Sequence, residues 1–434
     1  MNIHFIGIGG IGLSALARFL KANGHRVSGS DIKKTSITNS LESENIEVTA
    51  PHSENIITKE IDLVIYSAVI KEENVELKRA RELNIESLSR SEALKFILKE
   101  KRVFSVCGAH GKSTTTAILS SIIKESSSII GAESKDFKSN FRDNRGDIVC
   151  FEADESDASF LNSNPYYAIV TNAEPEHMEF YNYDFKKFYD CYEKFLKIAK
   201  KRVINAEDEF LSKLDIDAIR LYPSRDIKNQ KYILIDDEPY TRFTLKDLGE
   251  FDIWGFGEHI AIDCSLAILA SLEELELEEI RENLKSYKGI KKRFDILQKS
   301  ENLVLIDDYG HHPTEIKATI DSANIYAKLK NLDKIVVIWQ PHKYSRTLDN
   351  LEKFIECFKQ SDRLIILPVW EAGEKRVEID FKKLFKRYNL DFADKVSVKN
   401  GSIFLEKDGI EEITSGLVIG FGAGDITYQL RGLI

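Results

Sequence analysis

The sequence predicts an α/β protein of three domains: an N-terminal Rossmann-like unit, a central unit of P-loop type and a C-terminal Rossmann-like unit. Three observations carry this. Short apolar runs alternate with amphipathic stretches along most of the chain, the pattern of strands joined by crossover helices. Glycine-rich turns stand at two strand-to-helix junctions, at 7–12 and 108–111. Polar residues collect at the carboxyl ends of the strands, where open parallel sheets hold their ligands.

Size and composition agree. A chain of 434 residues has room for roughly two to four domains. Hydrophobic residues at 43% and charged residues at 30% describe a globular chain. A net charge of −10 argues against a general binder of nucleic acid or of anionic membranes. No apolar run approaches the ~18 residues of a membrane span. The start, MNIHFIGIGG, lacks a basic segment and a cleavage site, so it reads as a strand. Five scattered cysteines without a C-x-x-C pair suit a reducing cytosol, and a cytoplasmic location is expected.

The first domain is expected over 1–101. A strand at 2–8 leads into Gly7-x-Gly9-Gly10-x-Gly12 and a helix over 11–21; the next strand, 26–30, ends at Asp31. This is the G-x-G-x-x-G turn with an acidic residue about 20 positions on. The helix N-terminus suits a diphosphate and Asp31 a ribose hydroxyl. A UDP-sugar offers those two handles as well as NAD does. A strand over 62–68 ends in Tyr66-Ser67-Ala68. The helix over 73–83 is read with its charges on a solvated outer face. A helix over 91–100 and a hydrophilic joint at 99–102 close the unit.

The second domain, 102–292, opens on RVFSVCGAHGKSTTT. A buried strand over 103–107 meets a turn of Gly108, Ala109, His110 and Gly111, and a helix starts at Lys112. Outward backbone N–H groups, the helix dipole and the Lys112 ammonium make an anion site. The hydroxyl of Ser113 or Thr114 suits a magnesium ion, and ATP phosphates are the expected ligand. Gly108 stands closer to the Gly-Lys pair than the usual P-loop spacing allows. Cys107 reads as a small buried residue.

A strand over 147–151 runs into Glu152-Ala153-Asp154-Glu155-Ser156-Asp157. Four carboxylates in six residues repel one another unless a cation such as Mg2+ sits among them. A strand over 167–171 leads to His177, which suits a second metal or a phosphate. The helix over 186–201 carries Phe188, Tyr192 and Phe195 as core residues. Residues 215–257 read only as short strands and loops, 259–272 as an apolar helix, and 273–284 as an acidic helix with a solvated face.

The third domain, 293–434, repeats the pattern. Strands are expected at 302–306, 334–339, 363–369 and 416–420, with a helix over 314–327. The first strand ends in DDYGHHP, the second in QPHKYSRT and the last in FGAGD.

Seven stretches carry a family resemblance: GIGGIG at 7–12, GAHGKSTTT at 108–116, EADESDASFL at 152–161, TNAEPEH at 171–177, RF at 293–294, DDYGHHPTEI at 307–316 and QPHKYSRT at 340–347. In this order they resemble the Mur ligases of peptidoglycan synthesis, over nearly the whole chain. The short Gly108–Gly111 spacing is the form that family uses. The resemblance implies a UDP-binding domain, a central ATPase domain and a C-terminal Rossmann-like domain. It implies ATP-dependent amide formation through an acyl phosphate, with UDP-N-acetylmuramate, L-alanine and ATP as substrates and Mg2+ as cofactor. A monomer or weak homodimer is the expected state.

By position, Lys112 resembles the phosphate lysine, Ser113 and Glu152 the ligands of one metal, and His177 the ligand of a second. Gly9, Gly10, Ile11, Gly12, Asp31 and Ser67 fall to the UDP-sugar, and residues 108–114 with Asp263, Arg293 and Asp308 to ATP. Tyr309, His342 and Arg346 resemble the L-alanine pocket, where a guanidinium suits the amino acid's carboxylate. Several departures stand out, and the carbamylated Lys that some relatives use at the metal falls to none of Lys186, Lys187 and Lys194 in particular. Lys343 replaces an Arg, which keeps the charge and loses the fork. Ile260 and Asp263 replace two Asn, and an ionised Asp263 can only accept hydrogen bonds from an adenine. The segment between Gly131 and Asp147 is short.

Three other readings compete. A ligase that recycles a tripeptide onto the same UDP-sugar would not need QPHKYSRT, the mark of an amino-acid-adding member. An NAD-dependent oxidoreductase leaves Lys112, Glu152 and His177 without work. A non-catalytic nucleotide sensor on the same scaffold would be expected to lack Lys112 or Glu152.

Overall fold

The computed structural model describes residues 1–434. Five parallel strands form the first sheet, in the order Glu47–Thr49, Arg26–Ser30, Asn2–Ile6, Leu63–Tyr66, Glu86–Ser89. The central sheet has seven, in the order Ile219–Leu221, Lys201–Asn205, Pro165–Val170, Arg102–Cys107, Ile148–Glu152, Ser127–Ser134, Ser139–Arg142. All pair in parallel except the terminal hairpin of Ser127–Ser134 with Ser139–Arg142. The third sheet runs Asp295–Lys299, Leu303–Asp308, Gly416–Phe421, Ile335–Trp339, Arg363–Ile366, Leu390–Phe392, antiparallel only at Asp295–Lys299. The expected α/β architecture of three sheets is therefore present.

By packing, the chain divides into two compact units: residues 1–229, 243–253 and 261–288, and residues 230–242, 254–260 and 289–434. The first holds both the first and the central sheets. Its core is continuous from Phe5, Leu16 and Phe19 to Val103, Phe151 and Phe195. Helix Ile11–Ala22 lies on the hairpin, with Phe19 edge-on to Phe141 at 6.1 Å. Asn140 of the hairpin accepts from Arg18 at 2.8 Å and donates to the Ile11 carbonyl at 2.6 Å. Residues 230–242 and 254–260, expected within the central domain, pack in the second unit. There Trp339 anchors an aromatic core with Phe354, Phe358 and Phe385, at centroid distances of 4.9, 5.1 and 5.7 Å.

Local departures have local causes. Residues 227–254 form three strands, Ile227–Ile235, Glu238–Leu245 and Glu250–Trp254, not short pieces. The acidic helix is only Leu277–Leu284, and Glu274 ahead of it is not solvated: Arg102 donates to its two oxygens at 2.8 and 3.1 Å. Within helix Val75–Glu82, Glu76 is fully buried and accepts from Ser30 at 2.5 Å and from the Ser53 N–H at 2.9 Å. Strands Lys395–Lys399, Ser402–Glu406 and Ile410–Ile413 form an antiparallel meander in a segment the sequence left unread. The five cysteines are free thiols, and no helix is long and apolar enough to cross a membrane.

Candidate functional site

Three side-by-side strands of the central sheet end at one level. Val106 pairs with Glu152 and Cys107 with Val170, and the ladder continues one step, Ala153 N–H to the Val106 carbonyl and Thr171 N–H to the Cys107 carbonyl. The phosphate-type turn, the acidic loop and the 171–177 loop thus rise together. Gly108 has φ +144°, and a Cβ there would lie 2.1 Å from Thr171 Oγ1, so no side chain fits. Thr171 and Asn172 donate to the His110 carbonyl at 2.6 and 2.9 Å, and the His110 N–H donates to Asn172 Oδ1 at 3.2 Å. Gly111 caps helix Lys112–Ile122 in a left-handed conformation, φ +81°.

That helix is buried almost all round. Three of its hydroxyls bond along its own axis: Thr116 donates to the Lys112 carbonyl at 2.8 Å, Ser120 to the Thr116 carbonyl at 2.7 Å and Ser121 to the Ala117 carbonyl at 3.0 Å, while the buried Thr115 hydroxyl has no partner. This leaves Lys112 and Ser113 at its mouth. Lys112 Nζ donates to the Ala109 carbonyl at 3.1 Å and to Glu155 Oε1 at 3.0 Å, with Oε2 at 2.9 Å. Glu155 is 1% exposed, and burial pushes its carboxyl above the usual carboxylate range. Burial also disfavours the Lys112 cation, but the adjacent Glu155 outweighs it and the pKa rises.

The structure settles how four clustered carboxylates coexist. Arg90, from the first sheet's side, donates through Nη2 to Asp154 at 3.1 Å, Asp157 at 3.2 Å and Ser159 at 3.0 Å. Lys112 neutralises Glu155. Glu152 alone has no cation in ion-pair contact, though its charge contributes to raising the Lys112 pKa; it accepts from Ser113 Oγ at 3.1 Å and from the Gly131 N–H at 2.7 Å. The counter-cation expected for the cluster is thus supplied by protein side chains for three of the four carboxylates. Glu152 and Ser113, both hard oxygen donors, remain suited to Mg2+, which takes few protein ligands and completes its shell with phosphate and water.

His177 does not join them. It sits at φ +51° with its side chain exposed and without a hydrogen bond, and no three acidic, His or Cys side chains assemble a metal cage. Asp263 is buried against Gly111, its Oδ1 2.5 Å from where a Cβ would stand, so its carboxylate lies at the helix N-terminus. Arg90 and Glu155 were missed because their roles exist only across strand ends, between residues far apart in sequence.

The glycine turn of the first sheet brings Gly9, Gly10, Ile11, Gly12, Asp31 and Ser67 to one end of its strands. Gly7 takes φ +84° with Ser67 against it. Asp31 Oδ2 accepts the Gly9 N–H at 2.8 Å and Oδ1 the Ile32 N–H at 2.7 Å. The carboxylate expected to hold a ribose thus also braces the turn. Gly12 lies under Arg90: a Cβ there would be 3.2 Å from Nη1.

In the second unit, strand Leu303–Asp308 separates two neighbouring acids by its alternation. Asp307 is tied to Thr427 at 2.6 Å and to Arg431 at 2.8 Å. Asp308 accepts only neutral donors, the N–H groups of Phe294 at 2.7 Å and Gly310 at 2.8 Å and the Thr319 hydroxyl at 3.3 Å. Burial outweighs those bonds and pushes its carboxyl up to about 7. Phe294 is held at φ +44°, a strained setting for a bulky residue, and its N–H is what meets Asp308. The Arg293 side chain is exposed.

Tyr309, His342 and Arg346 gather around His311. Tyr309 and His311 rings meet edge-on at 5.2 Å, and His311 and His342 at 6.0 Å. Arg346 Nη1 donates to His342 Nδ1 at 2.8 Å, and burial followed by the Arg346 charge pushes His342 down to about 4. His342 is therefore neutral near pH 7. Glu315 accepts the His311 and His312 N–H groups at 3.1 and 3.2 Å, a capping box over helix Pro313–Lys330. His311 and Glu315 are further site residues; the H-x-x-E spacing at a helix start was the signal for the second. Lys343 holds φ +69° at the N-cap of Tyr344–Asp349.

Comparison with known proteins agrees with this geometry. Residues 2–102 match "Mur ligase family, catalytic domain", 106–224 "Mur ligase middle domain" and 292–399 "Mur ligase, glutamate ligase domain". The chain is 57% identical over 433 residues to the UDP-N-acetylmuramate–L-alanine ligase of Campylobacter curvus, covering 99% of both chains. It is 57% identical over 435 residues to that of Helicobacter pylori strain 26695, covering 99% of this chain and 96% of that one. Among solved structures, the UDP-N-acetylmuramate-alanine ligase of Thermotoga maritima superposes with a TM-score of 0.83 at 27% identity, over 100% of this chain and 98% of that one. A murein peptide ligase from Psychrobacter arcticus, at 17% identity and a TM-score of 0.61, shares the fold over 100% of this chain and 99% of that one. From sheets, turns, charge pairs and full-length identity together, the chain belongs to the Mur ligase family.

Proposed function

We infer that the chain is an ATP-dependent ligase that joins L-alanine to the lactyl carboxylate of UDP-N-acetylmuramate in peptidoglycan precursor synthesis. The observation that carries it is the 57% identity, across 99% of the chain, to ligases named for this reaction. A carboxylate oxygen attacks the γ-phosphorus of ATP, giving an acyl phosphate and ADP. The amine of L-alanine then attacks the acyl carbon, loses a proton, and inorganic phosphate leaves.

The chain's residues support each part. The first step drives one anion against another, so positive charge must be in place before reaction. Lys112, held by Glu155, supplies one such charge at the phosphate turn. Ser113 and Glu152 would hold a magnesium ion, which would supply further positive charge beside the phosphates. The N–H groups of 108–111 and the Lys112 helix dipole cradle the β- and γ-phosphates. Asp31 and the turn at 9–12 take the ribose and diphosphate of the UDP-sugar, Asp308 the ribose of ATP, and Arg346 the carboxylate of L-alanine. Neutral His342 orients the Arg346 fork without competing for its charge.

Phosphate release from ATP with UDP-N-acetylmuramate and a panel of amino acids tests the reading. Release that depends on L-alanine is expected. Turnover only with a tripeptide would assign the chain to muropeptide recycling, and reduction of NAD without ATP use would overturn both.

A further inference from the structure

We propose that Arg90 is a positioning residue for the phosphate-transfer step, holding the acidic loop so that Glu155 presents Lys112 to the γ-phosphate. The proposal rests on the ligase reading above.

The geometry is a chain of contacts. Arg90 is the first residue of helix Arg90–Ile97, on the first sheet's side of the unit, yet every hydrogen bond of its side chain goes to the central sheet's acidic loop. It closes that loop on both sides of Glu155, at Asp154 and at Asp157. The loop needs such a clasp. Ala158 is forced to φ +55°; within the turn Asp154 Oδ1 accepts the Ser156 N–H at 3.0 Å and Asp157 Oδ1 the Ser159 N–H at 3.0 Å, and from outside it Tyr181 donates to the Glu155 carbonyl, but no cation other than Arg90 pairs with Asp154 or Asp157. Without a cation between them, Asp154 and Asp157 would repel each other across Glu155. Glu155 is the residue this would move, and Glu155 holds Lys112. The guanidinium is meanwhile wedged on Gly12, the last glycine of the sugar-side turn. It therefore sets the spacing between the turn that binds one substrate and the loop that aims the charge at the other.

Other contacts on the same seam do not reach Glu155. Ser91 accepts from Asn162 at 2.8 Å, and Arg18 binds Asn140. They hold the two sheets together, which gives the control.

In the full-length enzyme, kcat and the KM values for ATP and the UDP-sugar are measured for Arg90→Ala, Arg90→Lys, Asp157→Asn, Ser91→Ala, Glu155→Gln and the Arg90→Ala/Glu155→Gln double variant, together with ATP affinity by calorimetry. Arg90→Ala is expected to lower kcat roughly 10- to 100-fold, the size of effect misplacement produces, while KM for the UDP-sugar stays within about threefold. ATP affinity should fall too, a readout that needs no turnover and so separates failure of this idea from failure of the substrate assignment. Arg90→Lys should recover part of the loss, and Ser91→Ala should match the wild type. The double variant should be no slower than Glu155→Gln alone. Additive losses would overturn the proposal, as would a raised UDP-sugar KM at unchanged kcat. Should Arg90→Ala fail to fold, Asp157→Asn carries the test: its kcat must fall severalfold at unchanged melting temperature, and a wild-type kcat would contradict the account.

Discussion

Lys112, Glu152 and Asp308 are each set by what surrounds them. Lys112 is a cation on a glycine turn, kept charged by a buried carboxylate. Lys112→Ala should lower kcat by at least ~10² while UDP-sugar affinity, measured by calorimetry, stays near wild type. Glu152 is the carboxylate of the cluster with no ion-paired protein cation, so Glu152→Gln should weaken magnesium affinity, read as a rise in the Mg2+ concentration for half-maximal rate. Asp308 titrates at about 7 in the folded chain. In its proposed role as acceptor for the ribose of ATP it binds more strongly when ionised, so KM for ATP should rise as pH falls from about 8 to about 6, and Asp308→Asn should remove that dependence. The stability effect has the opposite sense. A carboxyl whose folded pKa exceeds its unfolded value, about 4, withdraws stability as pH rises through that interval. Asp308→Asn should therefore flatten the fall in stability between about pH 4 and about pH 7.

The phosphate turn and the acidic loop work as a pair of elements. Gly108 is fixed by Thr171, so Gly108→Ala must displace the turn; we expect a loss in kcat/KM for ATP of at least ~10² with the UDP-sugar KM unchanged, measured by steady-state kinetics. Much at this scale was legible in the sequence. The strand, turn and helix at 102–122 follow from an apolar run, glycines at the points of positive φ and a hydroxyl-rich helix start. The cation partners of the acidic loop were not legible. Arg90 stands 62 residues before Glu152, and only the docking of helix Arg90–Ile97 against residues 159–162 brings it there. For His177 the motif was readable, and the structure shows its imidazole exposed on the loop that follows strand Pro165–Val170.

For the whole molecule, three parallel sheets were readable because buried parallel strands are short, apolar and evenly spaced by helices. The meander at 395–413 was not. Its strands alternate polar and apolar residues, such as Lys395, Val396, Ser397 and Val398, and carry no helix between them. Nor did composition tell that the first two sheets share one core. That follows from Phe19, Phe141 and the Arg18–Asn140 bond, contacts between segments about 120 residues apart. The shared body holds a sugar-side turn and a phosphate-side turn together, which is what a reaction between a carboxylate and ATP requires. The measurement that tests this most directly is oxygen transfer. With both lactyl carboxylate oxygens of UDP-N-acetylmuramate labelled with oxygen-18, and L-alanine and ATP supplied, the account predicts one labelled atom in each inorganic phosphate released and one retained in the amide. Unlabelled phosphate would contradict it, because the carboxylate would then never have attacked the γ-phosphorus.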